Sequence, residues 1–184
     1  MKMYTRPFRP DSFYNIYNSG NNLENIFYTK RNYEYFLNRY EEYMTGFVIT
    51  YSYGLIPNQF NILIKTTADV CDTSNQLRKF FISYSSYINL QEKRTGSLFL
   101  KPFRKKPIKD TGQLLNEIFY IHSKPVLEGI CNNFEDYDWN SYRNILGKSK
   151  TLICRDEVIK LFGEKENFIQ FHSEMLNSEK NQWF

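Results

Sequence analysis

The sequence predicts an α+β domain, with a central antiparallel sheet carrying helices on its face and a short helical C-terminal tail. Three observations predict it. Segments with strand character alternate with segments of helical periodicity in the order strand-helix-strand-strand-helix-strand-helix. Two runs rich in β-branched and aromatic residues, Phe47 to Leu55 and Gln59 to Lys65, stand back to back across Pro57-Asn58. Finally, 184 residues with 41% hydrophobic content can bury one real core but not two full-sized ones. The expected division is a domain over 1–146 and a helical tail over 147–184 that packs on it or extends from it.

Residues 12 to 18 alternate as a strand does, and the turn cluster Asn18-Ser19-Gly20-Asn21-Asn22 ends them. Thr29 is placed to cap a helix whose Tyr33, Phe36, Leu37, Tyr40 and Met44 fall at helical spacing, and Gly46 closes it. In the second strand of the following pair, Phe60, Ile62 and Ile64 share one face, while Gln59, Asn61 and Leu63 share the other. A second helix is expected from Ala68 to about Tyr87, ending before Asn89 and carrying Leu77, Phe80, Phe81 and Tyr84 inward. Residues 93 to 109 read as a loop and short strand. Leu114, Leu115, Ile118 and Phe119 form one helix face, and Pro125 is expected to stop that helix, because the residue before a proline is biased out of the helical region. Shorter helices follow around Trp139 to Leu146, Arg155 to Phe162 and Lys165 to Met175.

Composition narrows the function classes. No apolar run approaches the roughly 18 to 20 residues that span a bilayer, and Met1 to Pro7 lack an apolar signal core, so a soluble, cytoplasmic protein without a membrane partner is expected. Cys71, Cys131 and Cys154 are odd in number and widely spaced, which suggests neither a disulfide framework nor a zinc site; they read as small core hydrophobes. The 15 Tyr, 16 Phe and 2 Trp admit two readings, core packing and stacking on unpaired bases. The formal net charge is only +4, yet Lys93, Arg94, Lys101, Arg104, Lys105, Lys106 and Lys109 fall in a segment free of acids. Such a segment is either a solvated loop or a phosphate-binding surface whose affinity falls with salt.

Four landmarks lie in order along the chain: Tyr14-Asn15-Ile16-Tyr17-Asn18-Ser19-Gly20; Ile56-Pro57-Asn58-Gln59-Phe60-Asn61-Ile62-Leu63-Ile64; Arg94-Thr95-Gly96-Ser97-Leu98-Phe99, followed by Tyr120-Ile121-His122-Ser123-Lys124-Pro125-Val126; and Asp136-Tyr137-Asp138-Trp139-Asn140-Ser141-Tyr142-Arg143. Together, over roughly residues 12 to 172, they resemble the REP-associated tyrosine transposases, in the single-tyrosine branch of the HUH nucleases. That resemblance implies a ferredoxin-like core, binding of single-stranded or hairpin DNA, and strand cleavage through a 5′-phosphotyrosine intermediate in DNA transposition. It also implies a monomer or homodimer, associated with the nucleoid when bound to DNA.

The chemistry implied is attack by a phenol on a phosphodiester polarised by a divalent metal. The nucleophile position falls on Tyr120. The two histidines that relatives place around one strand hydrophobe are here Gln59 and Asn61, flanking Phe60, and the amide ligand that relatives carry four residues after the tyrosine is here Lys124. Amide oxygens are neutral, weak ligands, so no cofactor is expected beyond weakly held Mg2+ or Mn2+. Three readings stay open: a DNA-binding protein whose cleavage is lost or impaired, a working strand transferase, and a protein-interaction module on a transposase fold. Within the second, either Gln59 and Asn61 assist a weak ion or the Lys124 ammonium takes the metal's place. The expected DNA-binding residues are Lys93, Arg94, Lys101, Arg104, Lys105, Lys106 and Arg143. Asn58 is assigned to the turn and Trp139 to core packing; His122 points away from Tyr120, and His172, near Phe168 and Phe171, is expected to pack or lie at the surface.

Overall fold

The computed structural model describes residues 7–67, 70 and 72–181. Four strands, β1 (Phe13–Ser19), β2 (Val48–Ile56), β3 (Gln59–Thr66) and β4 (Arg104–Ile108), form one sheet in the order β2-β3-β1-β4, with every neighbouring pair antiparallel. Helices α1 (Lys30–Met44) and α2 (Thr73–Gln91) make the two crossovers, from β1 to β2 and from β3 to β4. This is the split β-α-β arrangement expected of a ferredoxin-like core. Helix α3 (Thr111–Leu127) follows, then α4 (Tyr142–Leu146), α5 (Arg155–Phe162) and α6 (Lys165–Asn181).

Strand alternation decides what each layer buries. Phe60, Ile62 and Ile64 face α1 and α2, where Phe60 meets Phe36 with ring centroids 5.2 Å apart and Phe81 at 5.4 Å. Phe36, Phe80 and Tyr84 are fully buried there. A ring so buried contributes roughly 2 to 3 kcal/mol, so this aromatic layer supplies a large share of the driving force. Of the two readings of the aromatic content, packing accounts for these rings.

Helix α1 begins where expected: the Asn32 side-chain oxygen accepts from the Thr29 and Tyr28 backbone N–H groups, both at 2.9 Å. Helix α2 begins later and ends later than expected. Nothing between Tyr87 and Gln91 breaks the hydrogen-bond ladder, Ile88 is buried, and the chain turns only at Lys93, in the left-handed region at φ 51°. Ala68 and Cys71 lie outside the described residues.

Pro125 does not stop α3, which runs on to Leu127. Lacking an N–H, Pro125 leaves the Ile121 carbonyl without its helical donor, and that carbonyl lies against β2. Gly54 makes the approach possible, since a Cβ there would stand 2.5 Å from the Ile121 oxygen. Helix α3 thereby seats on the sheet face opposite α1 and α2. The outer edge of β2 is covered by the segment before α4, through Leu55 N–H to Trp139 O and Ser141 N–H to Tyr53 O, both 2.9 Å. Trp139 stacks on Tyr33 with centroids 4.5 Å apart. Ile153, Val158, Phe162 and Phe168 belong to the same hydrophobic core cluster as the α3 residues Leu114, Ile118, Phe119 and Ile121. Cys131 and Cys154 are free and only half-buried, not the core hydrophobes expected, because each sits in a connection rather than on a core-facing helix or strand position.

Candidate active site and nucleic-acid interface

The second face of β3 carries Gln59 and Asn61. Gln59 stands between Ser19 and Ile56 of the neighbouring strands, and Asn61 between Tyr17 and Gly54. Gln59 is half-buried, whereas Asn61 is 3% exposed. A buried amide must find partners, and that of Asn61 does: its Oδ1 accepts from Asn15 Nδ2 at 3.3 Å. Asn15 Nδ2 also donates to Glu117 Oε1 at 2.6 Å, and Glu117 Oε2 accepts from Lys106 Nζ at 2.6 Å. Four residues from β3, β1, α3 and β4 thus form one chain of hydrogen bonds ending in an ion pair. The Glu117 side chain is 6% exposed and that of Lys106 58%. Asn15 Oδ1 alone in this chain is shielded and unpartnered.

Neither Asn15 nor Glu117 was singled out from the sequence. A signal existed for both: a polar residue between Tyr14 and Ile16 in a strand, and an acid among the apolar residues of α3 three places before Tyr120.

Tyr120 is exposed, and one helical turn on, Lys124 is 8% exposed. Lys124 Nζ donates to Tyr120 Oη at 3.3 Å and to Glu128 Oε1 at 2.8 Å. Burial alone would depress the Lys124 ammonium, but the Glu128 carboxylate and the Tyr120 phenol outweigh it and hold its pKa above the ordinary lysine value. Along α3, Glu117, Tyr120, Lys124 and Glu128 follow at spacings of three and four, so one helix presents the phenol between two ion pairs.

His122 and His172 are both fully buried and meet each other. His122 Nδ1 lies 2.9 Å from His172 Nε2, His172 Nδ1 lies 2.8 Å from the Phe168 carbonyl oxygen, and His122 Nε2 lies 2.8 Å from Ser141 Oγ. Burial first, and for His122 the neighbouring imidazole second, lowers both pKa values, that of His172 to about 4. The pair ties α3 to α6.

The basic residues divide by what they touch. Arg94 pairs with Glu24 and donates to Tyr28 Oη at 2.8 Å; Arg143 pairs with Asp138; Lys106 is engaged by Glu117; and Lys105, its ammonium lowered by burial, sits 3.7 Å above the Phe8 ring centre. Lys93, Lys101 and Arg104 are exposed and, among the described residues, form no ion pair. Among the described residues no helix is long and apolar enough to cross a membrane.

The chain is an α+β fold: a four-stranded antiparallel sheet with paired crossover helices on one face and a third helix, carrying an exposed tyrosine, across the other. The chain is similar to a solved structure of a REP-associated tyrosine transposase bound to a REP hairpin, with a TM-score of 0.67 and 13% identity, over 79% of this chain and 86% of that one. The two share their fold. No protein-family model matches the chain, and no curated protein matches it.

Proposed function

We propose that this protein binds single-stranded or hairpin DNA and that metal-dependent strand cleavage and transfer through Tyr120 are lost or severely impaired. The fold likeness to a transposase bound to a hairpin supports the DNA partner. The observation that carries the loss of cleavage is the mutual engagement of Asn61, Asn15, Glu117 and Lys106. A divalent ion needs several oxygen donors, preferably anionic ones. Here the Asn61 oxygen is taken by Asn15, the Glu117 carboxylate is neutralised by Lys106, and the position four residues after Tyr120 is itself a cation, Lys124. The donor set does not fit Mg2+ or Mn2+.

One contact favours a second reading. Lys124 Nζ, 3.3 Å from Tyr120 Oη, could supply charge to a phosphate under attack by that oxygen without any metal. In that step the phenolic oxygen bonds to phosphorus as the P–O bond to the 3′-oxygen breaks, and the proton that the phenol gives up is matched by the one the 3′-oxygen takes up as it departs as a hydroxyl. Glu128 opposes this reading by holding the same ammonium.

The test is incubation of the purified protein with a labelled hairpin oligonucleotide carrying single-stranded flanks, with magnesium, manganese or chelator, followed by native and denaturing gels. A retarded complex on the native gel and no covalent adduct on the denaturing one is expected. A metal-requiring adduct absent from Tyr120→Phe would overturn the loss of cleavage, and an adduct indifferent to chelator but absent from Lys124→Met would establish the second reading. Weak binding insensitive to salt would favour a protein-interaction module instead.

A further inference from the structure

Three side chains on the face that α3 covers stand in an arrangement that DNA binding does not call for. Asn15 of β1 and Lys106 of β4 lie directly opposite each other in antiparallel register, so both project to the same face. Glu117 of α3 reaches each of them with a different oxygen: Oε1 accepts from Asn15 Nδ2 at 2.6 Å, and Oε2 accepts from Lys106 Nζ at 2.6 Å. One carboxylate thus touches a primary amine and an amide nitrogen on neighbouring strands. From this geometry we propose that Lys106 and Asn15 close an intramolecular isopeptide bond, with loss of one ammonium ion and with Glu117 carrying the proton between the two nitrogens. The ion pair described above is the state before closure, and the inference stands apart from the DNA-binding reading.

The step balances without any further reagent. The Lys106 ammonium passes one proton to Glu117 along their hydrogen bond, which leaves a free amine beside a carboxylic acid. The Glu117 side chain is only 6% exposed, and in so poorly solvated a place a neutral pair competes with a charged one. The amine nitrogen bonds to Asn15 Cγ, and the Cγ–Nδ2 bond breaks as Nδ2 takes the acid proton and departs as ammonia. Nζ gives its surplus proton to the restored carboxylate, and the ammonia takes that proton and leaves as ammonium. An ammonium and a primary amide become a secondary amide and an ammonium ion, so atoms and charge are conserved and Glu117 ends as it began.

Placement favours this attack over its competitors. The two strands hold amine and amide together before reaction, which replaces a chance encounter by a positioned one. Asn15 is 2% exposed, so water is kept from its amide carbon, whereas the Lys106 side chain is 58% exposed and gives the departing ammonium a way out. Asn15 Oδ1 is shielded and without a donor, and Glu117 in its acid form is a donor beside that amide. The bond would act at an open side of the sheet, since β4 is an edge strand of five residues whose neighbour is β1. The new nitrogen takes the place on Cγ that Nδ2 vacates, so an amide still stands beside Asn61.

The experiment is intact mass spectrometry of denatured protein, freshly purified and again after days at pH 7.5, for the parent, Lys106→Arg and Glu117→Gln. The parent should accumulate a species lighter by one ammonia. That species should run ahead of the open chain on a denaturing gel, because the bond closes a loop between Asn15 and Lys106, and proteolysis should release a branched peptide joining β1 to β4. Lys106→Arg keeps a cation for Glu117 but has no amine to attack, and should keep its full mass. Glu117→Gln keeps hydrogen-bonding groups between the two nitrogens but cannot carry the proton, and should close at least about a hundredfold more slowly, the range for removal of a general acid–base group. Circular dichroism checks that each variant is folded; if Glu117→Gln is not, the contrast between the parent and Lys106→Arg, with the branched peptide, decides. A parent that keeps its full mass, or gains mass by hydrolysis of the Asn15 amide to an acid, would overturn the proposal. Ammonia loss that persists in Lys106→Arg, with a product cleaved by hydroxylamine, would assign the loss to a backbone succinimide and overturn it equally. Closure of Glu117→Gln at the parent's rate would refute the role given to Glu117.

Discussion

Replacing Lys106 by Met retains most of the aliphatic stem and removes the ammonium, which leaves the Glu117 carboxylate with a single neutral donor, Asn15 Nδ2 at 2.6 Å. The carboxylate is 6% exposed, so the loss is felt in a poorly solvated place. Stranding one member of a fully buried ion pair costs roughly 3 to 5 kcal/mol. The Lys106 end is 58% exposed, so water can replace part of the lost interaction, and surface pairs are worth only about 0 to 1 kcal/mol. An intermediate cost of about 2 kcal/mol follows. With a urea slope of about 2 kcal/mol per molar, the midpoint should fall by about 1 M. Glu117→Gln keeps an acceptor for Asn15 but turns a neutral amide toward Lys106; in a double-mutant cycle the two replacements should be less than additive in cost, with a coupling of about 1 kcal/mol. The assay is urea denaturation followed by far-ultraviolet circular dichroism at pH 7.5. A cost for Lys106→Met below about 0.5 kcal/mol, the range of ordinary surface substitutions, would refute the reasoning. It would mean that Glu117 does not depend on Lys106, and the carboxylate would then be available to a metal.

Three further outcomes are expected. Gly54→Ala places a methyl 2.5 Å from the Ile121 carbonyl oxygen, a backbone atom of a packed helix, and should lower stability by about 2 to 3 kcal/mol in thermal or urea unfolding. The buried His122–His172 pair gives acid sensitivity. Because the folded-state pKa of His172 lies at about 4, below the unfolded value of about 6.5, the stabilisation is complete above pH 6.5 and is lost as pH falls toward 4; the shift corresponds to about 3 kcal/mol, readable as a decline in urea midpoint between pH 7.5 and 4.5 that His172→Phe should flatten. Replacing Lys93, Lys101 and Arg104 together by Ala should weaken hairpin binding and reduce its salt slope by about 3, whereas Arg94→Ala, which breaks contacts to Glu24 and Tyr28, should lower stability with a smaller effect on affinity.

The sheet and its two crossover helices were legible because their signals are local. Phe60, Ile62 and Ile64 alternate, Tyr33, Phe36 and Tyr40 recur at helical spacing, and Pro57-Asn58 marks the hairpin. Pro125 misled because its local rule was overridden by a long-range fit: Gly54, lacking a Cβ, lets α3 pack closely on β2 through Ile121, and the helix runs on past the proline to Leu127. The candidate site was legible in type but not in connection. Gln59, Asn61, Tyr120 and Lys124 can be placed by pattern, but Asn15, Glu117 and Lys106 come together only through the register of β1 with β3 and β4 and the seating of α3, none of which a single sequence prints. For the same reason the basic segment looked more uniformly open than it is, since the partners of Arg94 and Lys106 are acids elsewhere in the chain.

These connections bear on which ligands the tyrosine face can accept. Its two ammonium groups, Lys106 and Lys124, each carry their own carboxylate, Glu117 and Glu128, so the face is balanced in charge before anything binds. The two pairs differ in how readily they open. Glu128 is 49% exposed and can swing into water at small cost, which would hand the Lys124 ammonium to a phosphate beside Tyr120. Glu117 cannot leave, being 6% exposed and held by Asn15; a divalent ion would have to expel Lys106 and also draw the Asn61 oxygen from its donor. A phosphate therefore meets one weak, outward-facing ion pair, while a metal meets a buried one backed by two amides. On the function proposed, the side chains that oppose a metal are the ones that leave the face able to receive a DNA backbone, which is the asymmetry that binding without cleavage requires.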